Sequence, residues 1–129
     1  MKKFAPAILL LAILAMLVSA CGSGKSPAVR AVEDYLNALV AKDGTKLSAL
    51  SCADWEASAL LELDSLQAVN TRLEGLACTV SGTDGSTTLV SCQGKIIATY
   101  NNEDQALDLS VRTYQVVQQG GESLVCGYR

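Results

Sequence analysis

The sequence predicts a single α+β domain in which helices precede an antiparallel sheet. From about residue 27 to residue 63, apolar residues recur every three or four positions, which is typical of helices that bury one face. From Leu76 onward they recur every second position between turns rich in glycine and asparagine, which is typical of strands joined in a meander. Because the helices come first and the strands follow without further helices, we expect the helices to cover one face of the sheet.

The N-terminus of the 129-residue chain has the pattern of an export signal. Lys2 and Lys3 precede an apolar run from Ala5 to Val18, and small residues follow. As a helix this run would span about 24 Å, short of the ~30 Å hydrocarbon core of a bilayer. We therefore predict that residues 1–20 form a signal peptide that is removed after export.

The end of this segment, Val18-Ser19-Ala20-Cys21, resembles a bacterial lipobox. The resemblance implies cleavage after Ala20, diacylglycerol on the Cys21 sulfur and acylation of the new amino group. Two or more acyl chains anchor a protein stably where one is marginal. The expected location is the extracytoplasmic face of the cell membrane, or the outer membrane in a host with two. Residues 21–27 would then be the lipidated cysteine and a flexible tether, and residues 28–129 the domain.

The helical half begins with Ser26 as the predicted N-cap and Pro27 as the first helical residue. We expect Gly44 to end this helix and Thr45 to cap a short turn through Leu50. Asp54 is the predicted cap of the second long helix, whose buried face includes Trp55, Ala59, Leu60 and Leu63. The segment from Asp64 to Arg72 fits either a helix or a strand, and a strand from about Leu66 is preferred.

The predicted strands can be aligned by keeping their apolar residues on one face. A turn at residues 84–86 places Cys78 opposite Cys92. A turn at Asn102-Glu103 places Ile96 opposite Leu109. The last turn, Gly120-Gly121, places Val117 opposite Leu124. In this arrangement a single third strand carries three polar residues on its outward face: Asp108, Ser110 and Arg112.

Once Cys21 is assigned to lipid, four cysteines remain, and an even number suits disulfide bonds in an exported domain. Three pairings are formally possible. Cys92 and Cys126 would lie two strands apart, roughly 9–10 Å, which is too far for a disulfide. Cys78 and Cys92 lie opposite each other in the predicted alignment, which favours a disulfide between them. Cys52 and Cys126 then remain to join the helical layer to the sheet.

The domain resembles the NTF2-like, cystatin-like superfamily, in which helices pack in the concavity of a curved antiparallel sheet. Two segments carry the resemblance: the first helix from Ala31 to Asp43 and the ending from Gly121 to Tyr128. The ending is similar to the close of small extracytoplasmic lipoproteins with this fold, although Ser123 stands where an aromatic residue is common. The resemblance implies the fold and brings no catalytic residue with it.

Composition excludes several kinds of site. The chain has no histidine, so no Ser-His-Asp or Cys-His catalytic set exists. The cysteine spacings do not match a zinc motif, and we expect neither metal nor cofactor. Without Lys2 and Lys3, 8 basic residues face 13 acidic ones, a net charge of −5, which argues against nucleic acid as a partner.

These observations favour a non-enzymatic, membrane-anchored module that binds a protein or a small apolar ligand. Its pocket would lie between helices and sheet, where Trp55, Tyr100 and Tyr128 are candidate lining residues. One alternative is a small enzyme of the same fold with an Asp/Tyr-lined cavity. Another is a structural component of the cell envelope that forms a homodimer through the open sheet face.

Overall fold

The computed structural model describes residues 25–129, so the predicted signal peptide and Cys21 lie outside the described residues. This part of the chain is an α+β unit in which helices pack against an open antiparallel sheet of five strands. The elements in chain order are α1 (Pro27–Val40), α2 (Gly44–Ala49), α3 (Ala53–Ser65), β1 (Asn70–Asp84), β2 (Thr87–Tyr100), β3 (Glu103–Asp108), a 3-10 turn (Leu109–Val111), β4 (Thr113–Gln119) and β5 (Glu122–Tyr128). The predicted fold class is therefore confirmed.

The first helix starts as predicted and ends earlier. The Ser26 hydroxyl accepts a hydrogen bond from the Val29 amide at 3.2 Å, which satisfies one free N–H of the first turn. The helix stops at Val40 because Lys42, rather than Gly44, adopts the left-handed conformation, with φ 58°. Asp43 then caps α2 by accepting from the Lys46 amide, so the prediction of Thr45 as the cap was wrong.

Two predictions around α3 were also wrong. Cys52 occupies the N-cap position, and Asp54 lies within the first turn, where its carboxylate faces the positive end of the helix dipole. The helix continues to Ser65, and β1 begins only at Asn70, not at Leu66. The turn between them is held by the Lys42 ammonium, which donates to the Val69 carbonyl at 2.6 Å.

Two of the three predicted registers are confirmed. Cys78 lies opposite Cys92, and Val117 lies opposite Leu124. The register between β2 and β3 is shifted by two residues, so that Ile96 faces Leu107 instead of Leu109. The reason is the turn, because Asn101 and Asn102 both have positive φ and form the two-residue loop themselves.

The predicted third strand is broken in two. The 3-10 turn interrupts it at Leu109–Val111, where the Asp108 carboxylate accepts from the Ser110 amide at 2.9 Å. Both halves pair with β2, since β3 faces residues 95–100 and β4 faces residues 88–91. The break turns Leu109 fully into the core, although its alternation with Leu107 and Val111 suggested an unbroken strand.

The sheet is bent where two glycines meet. The register between β1 and β2 shifts next to Gly75, which faces Gly94 across the pair. Gly94 has φ 104°, and a Cβ atom there would lie 2.6 Å from the Glu74 carbonyl oxygen. Only glycine fits this approach, and the resulting bulge bends β1 and β2.

The core lies between α1 and the inner face of the sheet. Its largest completely buried side chains come from α1, α2, the 3-10 turn and the inner strands: Tyr35, Leu36, Leu39, Leu47, Leu109 and Tyr114. Within residues 25–129, no helix combines the length and the apolar character needed to cross a bilayer.

Candidate functional site: a cleft between α3 and β3

A cleft of about 460 Å³ opens between the end of α3 and strand β3. Its walls are formed by the last turn of α3 and by residues 105–107 of β3, and its floor by β2. Arg112 and Tyr128 close its inner end. Half of the lining residues are apolar, and the other half carry polar or charged groups. The lining residues are Glu62, Ser65, Leu66, Ile96, Ala98, Gln105, Ala106, Leu107, Arg112 and Tyr128.

The polar centre of the cleft is an ion pair between Glu62 and Arg112. The Arg112 guanidinium donates to Glu62 Oε1 at 2.8 Å, and both side chains are largely buried. The same guanidinium lies 4.0 Å from the centre of the Tyr128 ring, which adds a cation–π contact. The second carboxylate oxygen of Glu62 is buried and has no hydrogen-bond partner among the described residues.

The Arg112 guanidinium stays charged despite its burial. Burial disfavours the charged form, but the interactions with Glu62 and Tyr114 together outweigh burial and keep the pKa of Arg112 above its usual range. The pair therefore places a fixed guanidinium, with donors left over, beside the apolar residues of the cleft.

An aromatic cluster supports the inner end of the cleft. The Tyr128 ring packs edge-on against Trp55 and Tyr114, with ring centres 5.4 and 5.7 Å apart. The Trp55 indole N–H donates to the Tyr35 hydroxyl at 3.0 Å. The cluster holds Tyr128 and, through it, the Arg112 side chain in place.

Two tyrosines of this cluster resist ionisation. Burial raises the pKa of Tyr35 far above its usual value, although the hydrogen bond from Trp55 opposes the change in part. Burial likewise raises the pKa of Tyr114, although the neighbouring Arg112 guanidinium opposes the change in part. Both groups stay neutral in the folded protein over the ordinary pH range.

Of the three residues predicted to line a pocket, only one lies in the cleft. Tyr128 lines the cleft. Trp55 lies behind it, in contact with Tyr128 rather than with the cavity. Tyr100 has the inward parity but stands at the last position of β2, beyond the cover of the helices, where it is 61% exposed. It does not belong to the cleft.

Glu62 and Arg112 were not predicted as partners. Arg112 was placed on the outward face of an unbroken strand, and this was wrong because the 3-10 turn redirects the chain before β4. The two residues lie 50 positions apart in sequence. The one available signal was an arginine surrounded by apolar and hydroxyl residues in a chain with few basic residues.

The four cysteines of the domain form the two preferred pairs. Cys78 and Cys92 face each other across β1 and β2, with Cα atoms 4.0 Å apart. Cys52 and Cys126 have Cα atoms 5.2 Å apart and join the start of α3 to β5. Over residues 25–129, no group of three or more potential metal ligands is brought together.

Residues 50–52 also extend the sheet beside the second disulfide. The Val125 amide donates to the Leu50 carbonyl at 2.8 Å, and the Cys52 amide donates to the Val125 carbonyl at 2.9 Å. Ser51 thereby forms a parallel bridge with Val125. The outer edge of β5 is thus paired with the protein's own chain at Val125.

These features define a small α+β protein with an open five-stranded sheet and a cleft at one end of its helical layer. No protein-family model matches the chain, and no curated protein matches it. Solved structures share its fold. Aln2 from a Streptomyces species is 14% identical, with a TM-score of 0.53, over 77% of this chain and 82% of that one.

A second solved structure is equally similar. A SEC-C motif containing protein from Rhodopseudomonas palustris is 12% identical, with a TM-score of 0.53, over 81% of this chain and 80% of that one. At such identities the similarity shows the fold alone.

Proposed function

We propose that the protein is a lipid-anchored, extracytoplasmic binding module that holds the apolar part of a ligand in the cleft between α3 and β3. The observation that carries this proposal is the cleft itself, an open cavity in which apolar side chains stand beside a fixed ion pair. The lipobox-like sequence at Cys21 supports the anchor, and the two cysteine pairs suit an oxidising compartment. The arrangement of helices and sheet supports kinship with the NTF2-like superfamily.

The position of the cleft fits an anchored receptor. Helix α1 starts at the tether, and its first half lies against the middle of β1, since Glu33 accepts from the Cys78 amide. Its end lies near the start of β1, where the Thr71 hydroxyl donates to the Val40 carbonyl. The start of β1 pairs with the cleft-lining end of β2. The cleft therefore opens roughly one helix length, about 20 Å, from the tether, so a membrane-bound domain would present it away from the lipid.

An enzymatic alternative would use Glu62, whose buried second oxygen has no partner among the described residues. Its other oxygen is committed to the hydrogen bond with Arg112. The same pair serves a binding site well, because a fixed charge pair orients a polar group of the ligand. A structural role in the envelope would need no cleft.

The anchor is tested by fractionation. Wild-type protein made in its native host should partition with membranes, and Cys21→Ser should appear in the soluble fraction. Ser23→Ala, two residues away, is the matched control and should stay with the membranes. Membrane retention of Cys21→Ser would contradict lipid anchoring.

The cleft is tested with small apolar fragments followed by NMR. Fragments should shift the resonances of Leu66, Ala98 and Leu107, and Ala98→Phe should abolish these shifts by filling the cavity. Val80→Phe, at an exposed position on β1, is the matched control. Shifts scattered over the surface, or unaffected by Ala98→Phe, would refute the assignment of the site.

A further inference from the structure

Strand β3 has a free edge. It pairs with β2 and with no other strand of the described chain, and its six residues are exposed. Its neighbour along the sheet, β4, is paired with β5, and residues 50–52 pair in turn with β5 at Val125. The break at the 3-10 turn thus leaves a vacant strand position beside β3.

The hairpin geometry identifies the free backbone groups. Asn101 and Asn102 form a two-residue turn, so Tyr100 and Glu103 are the hydrogen-bonded pair next to it. Alternation then directs the backbone groups of residues 103, 105 and 107 toward β2. Those of Asp104, Ala106 and Asp108 point to the vacant side.

The vacant position runs beside the cleft. Gln105, Ala106 and Leu107 belong to both the free strand and the cleft wall. Two strongly exposed apolar residues, Leu61 at 72% and Val111 at 71%, directly precede the members of the Glu62–Arg112 pair in sequence. A strand added to β3 can therefore place alternate side chains against apolar surface.

Charge indicates what kind of strand fits. Neither α3 nor β3 contains a lysine or an arginine, while together they carry seven carboxylates: Asp54, Glu56, Glu62, Asp64, Glu103, Asp104 and Asp108. Arg112 and Arg72 form ion pairs with Glu62 and Asp104, and Lys95 on β2 lies opposite Asp108. The other four, Asp54, Glu56, Asp64 and Glu103, take part in no ion pair of the described residues. A second copy of β3 is a poor partner, because antiparallel self-pairing through the free edge, centred on Ala106, sets Asp104 opposite Asp108.

We propose that the free edge of β3 binds an extended, basic peptide segment of a partner protein, which adds as a sixth strand and places apolar side chains in the cleft. The proposal rests on the proposed function and names the class of partner for that site. Backbone pairing provides the affinity, and the carboxylates of α3 and β3 select lysine and arginine.

The test uses the full chain and a fluorescein-labelled, capped hexapeptide in which lysine alternates with valine. Fluorescence polarisation should show saturable binding that weakens as salt rises. Ala106→Pro removes an outward N–H and should weaken binding about 10-fold or more, whereas Gln118→Ala, at the exposed far end of β4, should bind as the wild type. Circular dichroism checks that both variants keep the fold.

Peptide variants make the result independent of protein folding. N-methylation of alternate residues should weaken binding by a similar factor, and replacing lysine with glutamate should abolish it. Equal binding of the N-methylated or acidic peptide would overturn the proposal, as would no binding of the basic one. Self-association that Ala106→Pro abolishes would overturn it too, by showing that a second copy occupies the edge. If apolar fragments still fill the cleft while the peptide fails, the proposed function stands and this inference falls.

Discussion

At the scale of single residues, the most constrained group is Tyr35. It is completely buried, and its hydroxyl is the acceptor for the only tryptophan of the chain. Tyr35→Phe removes this acceptor and leaves the Trp55 N–H unsatisfied. We expect the free energy of unfolding to fall by about 1–2 kcal/mol, measured by urea denaturation with Trp55 fluorescence as the probe. Tyr100→Phe, at an exposed position, is the control and should change little.

The same tyrosine contributes to the dependence of stability on pH. Its pKa is raised in the folded state, so the folded protein holds the proton more tightly than the unfolded chain. The associated stability is complete below the unfolded pKa, about 10, and is lost as pH rises above it. We expect the thermal midpoint to fall between about pH 9 and 11, and to fall less steeply in Tyr35→Phe. Identical pH profiles for the two proteins would contradict this account.

Residue identity alone did not reveal the polar centre of the site. The sequence predicted Tyr128 near a cavity because it has inward parity at the end of the last strand. It could not pair Glu62 with Arg112, because that contact depends on how far α3 continues and where β4 begins, and both were misplaced. Long-range polar pairs follow from the exact path of the chain, which hydrophobic periodicity does not specify.

At the scale of elements, the alternation of apolar residues predicted which segments are strands. It did not reveal where a strand is interrupted. The register of Cys78 with Cys92 followed from alternation, because a one-residue slip would turn every apolar residue outward. The break at Leu109 left no trace, since Leu109 remains buried in the 3-10 turn just as it would in a strand. Asn101 and Asn102 indicated a turn in the sequence. Which two residues form its loop depends on the backbone, because both asparagines have positive φ in the structure.

The bend between β1 and β2 gives a prediction for Gly94. Gly94→Ala introduces both backbone strain and a close contact with the Glu74 carbonyl, so we expect a loss of about 2 kcal/mol or more in the free energy of unfolding. Gly85→Ala is the matched control, because Gly85 also has positive φ but has open space around it. That variant should lose about 1 kcal/mol. Equal losses in urea denaturation would show that the contact at Gly94 is unimportant.

At the scale of the whole molecule, the two cysteine pairs stabilise different connections. Cys78–Cys92 closes a loop within one hairpin, with a sequence separation of 14 between the paired cysteines. Cys52–Cys126 joins residues 74 positions apart and holds the helical layer on the last strand. In the chain-entropy treatment the short loop contributes about 3 kcal/mol and the long loop about 4 kcal/mol.

This comparison predicts an order of stability. The double variant Cys52→Ala with Cys126→Ala should unfold at lower denaturant concentration than the double variant Cys78→Ala with Cys92→Ala, and both should unfold before the wild type. Non-reducing peptide mapping of the wild type provides the control for the pairing. The reverse order would show that the hairpin connection matters more than the link between layers.

The end of β5 has a practical consequence for work on this protein. Arg129 exchanges backbone hydrogen bonds with Thr113, so residues joined after it would continue past the 3-10 turn and along the vacant side of β3. A purification tag fused there would meet the proposed peptide position at an effective concentration in the millimolar range. Tags rich in lysine or arginine would compete in cis with any added probe, so a removable tag is the better choice for binding studies.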